Sequence, residues 1–221
     1  MKQLIALSAL ALASLAVQAA PATIDVTLTF DDVLDGSTAN SALGSLGSLA
    51  HFANPDVEWD VDEYGDYTGG IRWVDATALY GDVGVVASGA AVSGTNVLSN
   101  SGQPILLVFN APVDIASFSI QQDLSGFGNP QDGGTYLSFL DATGHAISAA
   151  NVFYTQGGQP GLTIQSGAVG QVSAVLLAGG VSYDNLHINV TPSVPEPAAG
   201  LLALLGAGVV LARRNRQSQH G

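Results

Sequence analysis

The sequence predicts an all-β fold, an antiparallel β-sandwich or jelly roll, flanked by an N-terminal signal helix and a short C-terminal transmembrane helix. Three observations predict this fold class. Short apolar runs alternate with polar residues at a period of two, and Gly, Asn and Asp residues separate these runs. The central region has no strong helical period, and an uncharged apolar segment lies near each end of the chain. We therefore expect about ten strands between two apolar terminal segments.

The N-terminal residues 1–19 have the pattern of a secretory signal peptide. Lys2 supplies a positive charge, an apolar stretch follows over 4–17, and small residues stand where signal peptidase cleaves. We expect export through the Sec translocon and cleavage after Ala19. The alternative, a buried core helix, is disfavoured because this segment has no polar face.

The β-sandwich domain is expected to span residues 20–191. Its first strand, over 23–30, places four large apolar side chains on one face and polar side chains on the other. Comparable strands are predicted over 71–74, 83–87, 105–109, 113–120, 135–140, 146–154, 162–164, 172–178 and 186–190. The sequence Asp-Ala-Thr-Gly over 141–144 predicts a hairpin turn. Residues 36–50 fit either a short helix or a loop.

The composition of the central region limits its function. The chain contains no cysteine, so no disulfide bond stabilises it. Between residues 20 and 194 it has one basic residue, Arg72, and 17 acidic residues, which gives a formal charge of −16. Such a surface cannot form a basic patch, so we expect no binding to nucleic acid or to anionic lipid.

The C-terminal region has three parts: a linker over 192–197, an uncharged helix over 198–212 and a basic tail over 213–221. A helix of this length is about 22 Å long, shorter than the roughly 30 Å of a bilayer's hydrocarbon core. Because arginines follow it directly, we expect the tail to stay on the cytoplasmic side while the central domain is exported. An amphipathic core helix is disfavoured because no polar stripe crosses the segment.

An N-terminal signal, a Pro-Glu-Pro triplet, a short apolar helix and a terminal arginine cluster together resemble the PEP-CTERM sorting signal. The matching residues are Pro195, Glu196, Pro197, Arg213, Arg214 and Arg216. The resemblance implies that an exosortase, a membrane-embedded transpeptidase-like enzyme, is a partner. It also implies a transient inner-membrane anchor, followed by a place on the surface or in the extracellular matrix of a Gram-negative bacterium that makes exopolysaccharide.

The central domain is also similar to the extracellular β-sandwiches that often precede this sorting signal. The segments that carry this similarity are LTFDD, YTGGIRW, FNAPVDIASFSI, LDATGH and SYDNLHINV. The similarity adds to the prediction of a sandwich and leaves the ligand open.

Polar side chains at the two ends of the central domain predict a calcium site. Asp31 and Asp32 follow the first strand, and Asp184 and Asn185 precede the core of the last strand. If the first and last strands are neighbours, as in many jelly rolls, these side chains meet at one edge. Their carboxylate and amide oxygens suit Ca²⁺. The alternative is turn chemistry, in which these oxygens accept hydrogen bonds from backbone N–H groups.

The acidic run over 56–66 lies among aromatic residues. On a strand it would place carboxylates on one face and apolar side chains on the other. We expect a solvated face of an edge strand, with loose binding of divalent cations as the alternative. Trp59, Tyr64 and Tyr67 are candidates for stacking on sugar rings, although Trp59 also fits a core position. Trp73 is expected to lie in the core.

We expect no enzymatic activity. The sequence contains no HExxH, no G-x-S-x-G, no cysteine nucleophile and no lysine in the central domain. The sequence therefore favours a structural or adhesive component of the cell surface or matrix. The first alternative is a carbohydrate-binding module for exopolysaccharide, and a glycosidase-like enzyme that uses two carboxylates is a less favoured one.

Overall fold

The described part of the chain is built mainly from antiparallel β-strands, which confirms the all-β prediction. The computed structural model describes residues 22–89, 91–123, 135–147, 152–154 and 162–193. The strands are β1 Ile24–Leu28, β2 Ala50–Ala53, β3 Pro55–Val61, β4 Tyr67–Asp75, β5 Gly84–Ala87, β6 Asn96–Ser99, β7 Ile105–Asp123, β8 Thr135–Leu140, β9 Val152–Tyr154, β10 Leu162–Ser166, β11 Val169–Leu177 and β12 Ser182–Pro192.

Residues 22–193 form one compact unit. The predicted signal peptide over 1–19, the Pro-Glu-Pro triplet, the sorting helix over 198–212 and the basic tail over 213–221 lie outside the described residues. Within the described ranges, no helix has the length and apolar character needed to cross a membrane.

Ten of the described strands form one curled sheet, in which the order β5-β6-β12-β7-β11-β8-β9 is extended by β1 beside β12 and by β2 and β10 beside β7. The strands β3 and β4 form a separate two-stranded hairpin. The pairing of β1 with β12 runs from Ile24 opposite Val190 to Leu28 opposite Leu186. The expectation that the first and last strands are neighbours is therefore confirmed.

The long strand β7 connects the two halves of the sheet. Its first half pairs with β2 and β11, and its second half pairs with β12 and β10. The change of partners occurs near Pro112, which has no N–H to donate to a neighbouring strand. The two strands predicted over 105–109 and 113–120 are thus one continuous strand.

The principal core lies against the curled sheet. It contains Phe30, Phe52, Phe118, Phe139 and Tyr183, all at most 1% exposed, among aliphatic side chains from most of its strands. The rings of Phe118 and Phe139 meet edge to face, with 6.0 Å between their centroids. Burial of this apolar surface is the main stabilising contribution to the fold.

Residues 36–50, for which the sequence fits either a short helix or a loop, contain short helical turns joined by loop residues. Two short 3-10 helices, Ala39–Ala42 and Gly44–Ser48, place Leu43 and Leu46 in the core. One α-helical turn, α1, spans Thr77–Tyr80 directly after β4. The strands β2 and β6 were not predicted, because their sequences, AHFA and NVLS, show no sustained alternation of apolar and polar residues.

Candidate functional site

The predicted calcium ligands lie on the two sides of a loop segment that the sequence did not single out. The backbone N–H of Ser93 donates to Asp184 Oδ2 at 2.7 Å. Two residues further, the N–H groups of Thr95 and Asn96 donate to Asp31 Oδ1 at 2.8 and 3.0 Å. The backbone N–H groups of residues 93–96 therefore connect Asp31, after the first strand, to Asp184, in the last strand. We call Asp31, Asp184 and residues 93–96 the clasp.

Glycine is required inside the clasp. Gly94 has a φ of +54°, and a Cβ at this position would overlap the carboxylate of Asp31. This close approach explains how one carboxylate accepts from two successive N–H groups.

Asn185 occupies a bulge between β12 and β7, where the register shifts, and has a φ of +48°. Its side-chain amide donates to Gln121 Oε1 at 2.6 Å, and its Oδ1 accepts from the hydroxyl of Ser93 at 2.9 Å. Asp184 is 1% exposed, whereas Asp32 is exposed. These contacts agree with the alternative to a calcium site, in which the side-chain oxygens of Asp31, Asp184 and Asn185 accept hydrogen bonds from nearby groups of the chain.

Among the described residues, no group of three or more His, Asp or Glu side chains is placed to hold a metal ion. The calcium site at Asp31, Asp32, Asp184 and Asn185 stays a prediction. Three of its ligands would be the carboxylates of Asp31, Asp32 and Asp184, and the fourth would be the amide oxygen of Asn185.

The second acidic region is the β3–β4 hairpin. Its register places Val57 opposite Trp73, Trp59 opposite Ile71 and Val61 opposite Tyr67. Since side chains alternate along a strand, Val57, Trp59, Ile71 and Trp73 share one face, and Asp56, Glu58 and Asp60 belong to the other. The register shifts between Trp59 and Val61, and the contact between the rings of Trp59 and Tyr67 shows that Tyr67 lies on the apolar face beyond this shift. The prediction of one apolar and one carboxylate face on a strand is confirmed, although the strand lies in a separate hairpin and not at an edge of the large sheet.

The outer part of the apolar face is open to solvent. Trp59 is 61% exposed and Tyr67 is 57% exposed, and their rings meet edge to face with 5.4 Å between centroids and an interplanar angle of 81°. Val61 and Ile71 lie beside them and are also exposed. We call Trp59, Val61, Tyr67 and Ile71 the hairpin platform. Tyr64, in the turn at the tip, is 83% exposed.

The inner end of the same face is anchored to the body of the domain. Trp73 is partly buried against a second, smaller apolar cluster. The members of that cluster are Ala53, Leu106, Leu140, Ala174 and Leu176. The backbone N–H of Trp73 also donates to the carbonyl of Gly144 at 3.0 Å. Trp73, which was expected in the core, is partly buried at the margin of this smaller cluster, whereas Trp59 lies outside the core.

Two histidine–aspartate pairs connect the hairpin to neighbouring elements. His145 Nε2 lies 2.7 Å from Asp60 Oδ2, and His51 Nε2 lies 3.1 Å from Asp75 Oδ2. A Cβ at Gly70 would overlap the Asp60 carboxylate, so the absence of a side chain there lets Asp60 reach His145. These pairs were not predicted, because each joins residues at least 24 positions apart in the sequence.

The turn that carries His145 is organised by Asp141. Its Oδ1 accepts from the N–H of Thr143 at 2.8 Å, from the Thr143 hydroxyl at 2.6 Å and from the N–H of His145 at 3.1 Å. The hydrogen bonds from Thr143 are the main reason that the pKa of Asp141 lies below its usual value. Gly144 follows with a φ of +84°, which confirms the hairpin turn predicted over 141–144.

Asp75, at the end of β4, also has a lowered pKa. Partial burial acts to raise it, and hydrogen bonds from Thr77 and His51 outweigh that effect. On the carboxylate face, Arg72 forms an ion pair with Glu58 directly across the hairpin. The one basic side chain between residues 20 and 194 is therefore engaged with an acidic partner.

No family model matches this chain, and no curated protein matches it.

Proposed function

We propose that this chain is an exported protein of the cell surface or extracellular matrix, and that it acts by adhesion and not by catalysis. The observation that carries the adhesive role is the hairpin platform. Two aromatic rings, each more than half exposed, stand on a hairpin separate from the large sheet. Exposed aromatic clusters of this kind are typical of binding surfaces.

The export and sorting of the chain are proposed from the sequence. The signal peptide would bring the chain to the Sec translocon and signal peptidase, and the Pro-Glu-Pro triplet, apolar helix and arginines would present it to an exosortase. The chain would be anchored in the inner membrane for a time and then released to the surface or matrix. We further propose that the curled sheet is a jelly-roll sandwich, an assignment supported by the two sets of partners of β7.

The contacts of the hairpin support a non-catalytic role. Thr143, His145 and Asp60 have the residue types of the nucleophile, the base and the acidic residue of a catalytic triad. However, the Thr143 hydroxyl donates to Asp141 Oδ1, so its proton and its orientation are committed to the turn. Asp60 and Glu58 are likewise engaged with His145 and Arg72.

A comparison of producing cells tests the adhesive role. Cells that make the wild-type chain should attach to a surface coated with their own matrix, and cells that make Trp59→Ala should attach less. Tyr80→Ala is the matched control, because Tyr80 is also 61% exposed but lies on α1, outside the platform. Equal attachment of wild-type and Trp59→Ala cells, at equal amounts of surface protein, would contradict the proposal.

Mass spectrometry of the protein from the same cells tests the proposed export and processing. A mature chain that begins near Ala20 and ends before the arginine cluster is expected. A full-length chain in the cytosol would contradict export, whatever the result of the adhesion assay.

The second candidate function is carbohydrate binding, which the exposed, edge-to-face pair of rings of Trp59 and Tyr67 favours. Structural calcium at the clasp stays a separate proposal, since calcium would connect the chain ends by mass action. Thermal unfolding with calcium and with a chelator tests it. A higher midpoint with calcium is expected, and equal midpoints would show that hydrogen bonds alone hold the clasp.

A further inference from the structure

The hairpin platform combines two aromatic rings with two aliphatic side chains on an exposed sheet face. The C–H groups of a sugar ring form an apolar face that packs on an aromatic ring, and the hydroxyl groups at its rim donate hydrogen bonds to carboxylates. We propose that the platform binds an uncharged polysaccharide. This inference rests on the proposed adhesive function, for which it names the chemical class of the ligand.

The two rings form a corner instead of a flat shelf. At an interplanar angle of 81°, a sugar that stacks on one ring has the other ring along its edge. Trp59 packs beside Ile71 and Tyr67 beside Val61 across the hairpin, which holds each ring on the strand pair. The corner therefore presents a preformed apolar surface of fixed shape, which lowers the entropic cost of binding.

The openness of the platform favours a polymer over a single sugar. Pockets for small ligands enclose most of the ligand surface, whereas Trp59 and Tyr67 each stay more than half exposed on one face of the two-stranded hairpin. A surface of this type gains affinity when many weak contacts along one polymer chain act together.

The charge of the hairpin disfavours an anionic polymer. The hairpin, over residues 55–75, carries seven acidic residues: Asp56, Glu58, Asp60, Asp62, Glu63, Asp66 and Asp75. Against them stands Arg72, which pairs with Glu58. A polysaccharide of uronic acids or sulfated sugars would be repelled by this surface, whereas neutral hydroxyl groups can donate to it.

The same charge disfavours a second copy of this chain as the occupant. Two platforms face to face would bring both acidic hairpins together, in domains that each have a formal charge of −16 over residues 20–194. Self-association through the platform would therefore overturn the proposal.

Affinity electrophoresis of the protein from producing cells tests the proposal. The gels contain one of three uncharged polysaccharides (dextran, galactomannan or hydroxyethylcellulose) or, as the anionic comparison, polygalacturonate. We expect retardation by at least one uncharged polymer and none by polygalacturonate. Trp59→Ala and Tyr67→Ala should each weaken the binding at least about tenfold, because a central aromatic contact carries a large share of a small interface.

Tyr80→Ala is again the matched control and should bind within about twofold of the wild type, as expected for a side chain outside the interface. Each variant is first shown to have the wild-type unfolding midpoint, so that lost binding reflects the platform. The proposal is overturned by three results: no retardation in any of the uncharged polymers, retardation that Trp59→Ala leaves unchanged, or concentration-dependent self-association that Trp59→Ala abolishes.

The adhesion assay separates failure of this inference from failure of the proposed function. If attachment of cells depends on Trp59 while every uncharged polymer fails to retard the protein, the ligand class is wrong and the adhesive function stands. If attachment is independent of Trp59 while an uncharged polymer retards the wild type and Trp59→Ala loses the retardation, the platform binds the polymer and the adhesive function is wrong. If neither attachment nor retardation depends on Trp59, both proposals are wrong.

Discussion

The two acidic regions of this molecule use the same residue types in opposite ways. In the clasp, Asp184 is buried, and both it and Asp31 accept hydrogen bonds from backbone N–H groups of residues 93–96. In the β3–β4 hairpin, most carboxylates are exposed, and the aromatic residues among them point to solvent. The clasp joins distant parts of the chain, whereas the hairpin presents a surface.

The difference shows that burial and partners, more than residue type, decide what an acidic cluster does. A buried carboxylate that accepts backbone hydrogen bonds stabilises one arrangement of the chain. An exposed carboxylate beside an aromatic ring contributes little to folding and remains available to a ligand. The predictions below test whether the two regions can be altered independently.

The largest expected effect is on the clasp. Asp184→Ala removes the acceptor of the Ser93 and Asn185 N–H groups and should lower the free energy of unfolding by about 2–4 kcal/mol. Glu63→Ala, which removes an exposed carboxylate near the tip of the hairpin, should change it by less than about 0.5 kcal/mol. Denaturant unfolding of both variants gives the comparison. Equal destabilisation would remove the distinction between the regions.

A smaller effect is expected where the hairpin meets the body. Gly70→Ala places a methyl group where the Asp60 carboxylate lies and should cost about 1 kcal/mol, because that partly exposed side chain can turn away. The contact between Asp60 and His145 should be lost as well. The imidazole resonances of His145 in an NMR spectrum report this directly, and unchanged resonances would contradict the proposed anchor.

Acid should weaken the anchor of the hairpin. The pKa values of Asp75 and Asp141 are lower in the folded chain than the usual value of about 3.9. Their stabilising contribution is therefore fully present above about pH 4 and is lost as the pH falls through the folded pKa values. The unfolding midpoint measured below pH 4 should decrease less steeply in Asp141→Asn than in wild type. Identical slopes would show that the turn hydrogen bonds do not depend on the charge of Asp141.

The smallest effect on stability is expected at the platform. Trp59→Ala removes a ring that is 61% exposed, so the free energy of unfolding should change by less than about 0.5 kcal/mol. Trp73→Ala, on the same face but packed against the second cluster, should cost about 1–2 kcal/mol, since its side chain is partly buried. Thermal unfolding of the two variants makes the comparison, and a large effect of Trp59→Ala would place this ring in the core.

The sequence predicted the sheet-forming region better than the candidate sites. Alternation over 23–30 and 186–190 identified two strands, and the usual arrangement of jelly rolls placed them side by side, as β1 and β12 are. The clasp itself was not predictable, because Asp31 and Asp184 bind backbone N–H groups of residues 93–96. Any residue except proline supplies such a group, so the sequence carries no signal for it.

The exposure of Trp59 illustrates a second limit. Alternation placed Trp59 on one face with Val57 and Val61, but a period of two does not say whether that face is covered. The answer depends on Trp73, whose packing against the second cluster anchors the inner end of the hairpin and leaves the outer end in solvent. The strand β4 is also longer than the predicted 71–74, since its glycines and polar residues obscured the pattern.

Fluorescence quenching measures both properties on which the adhesive role depends: the exposure of Trp59 to solvent and its contact with a ligand. The chain has two tryptophans, so Trp59 is the only one left in Trp73→Phe. In this variant, free in solution, acrylamide should quench the fluorescence nearly as efficiently as it quenches a free tryptophan, and an uncharged polysaccharide that retards the protein should protect it. Fluorescence that is already shielded from acrylamide in the free, folded protein would contradict the account.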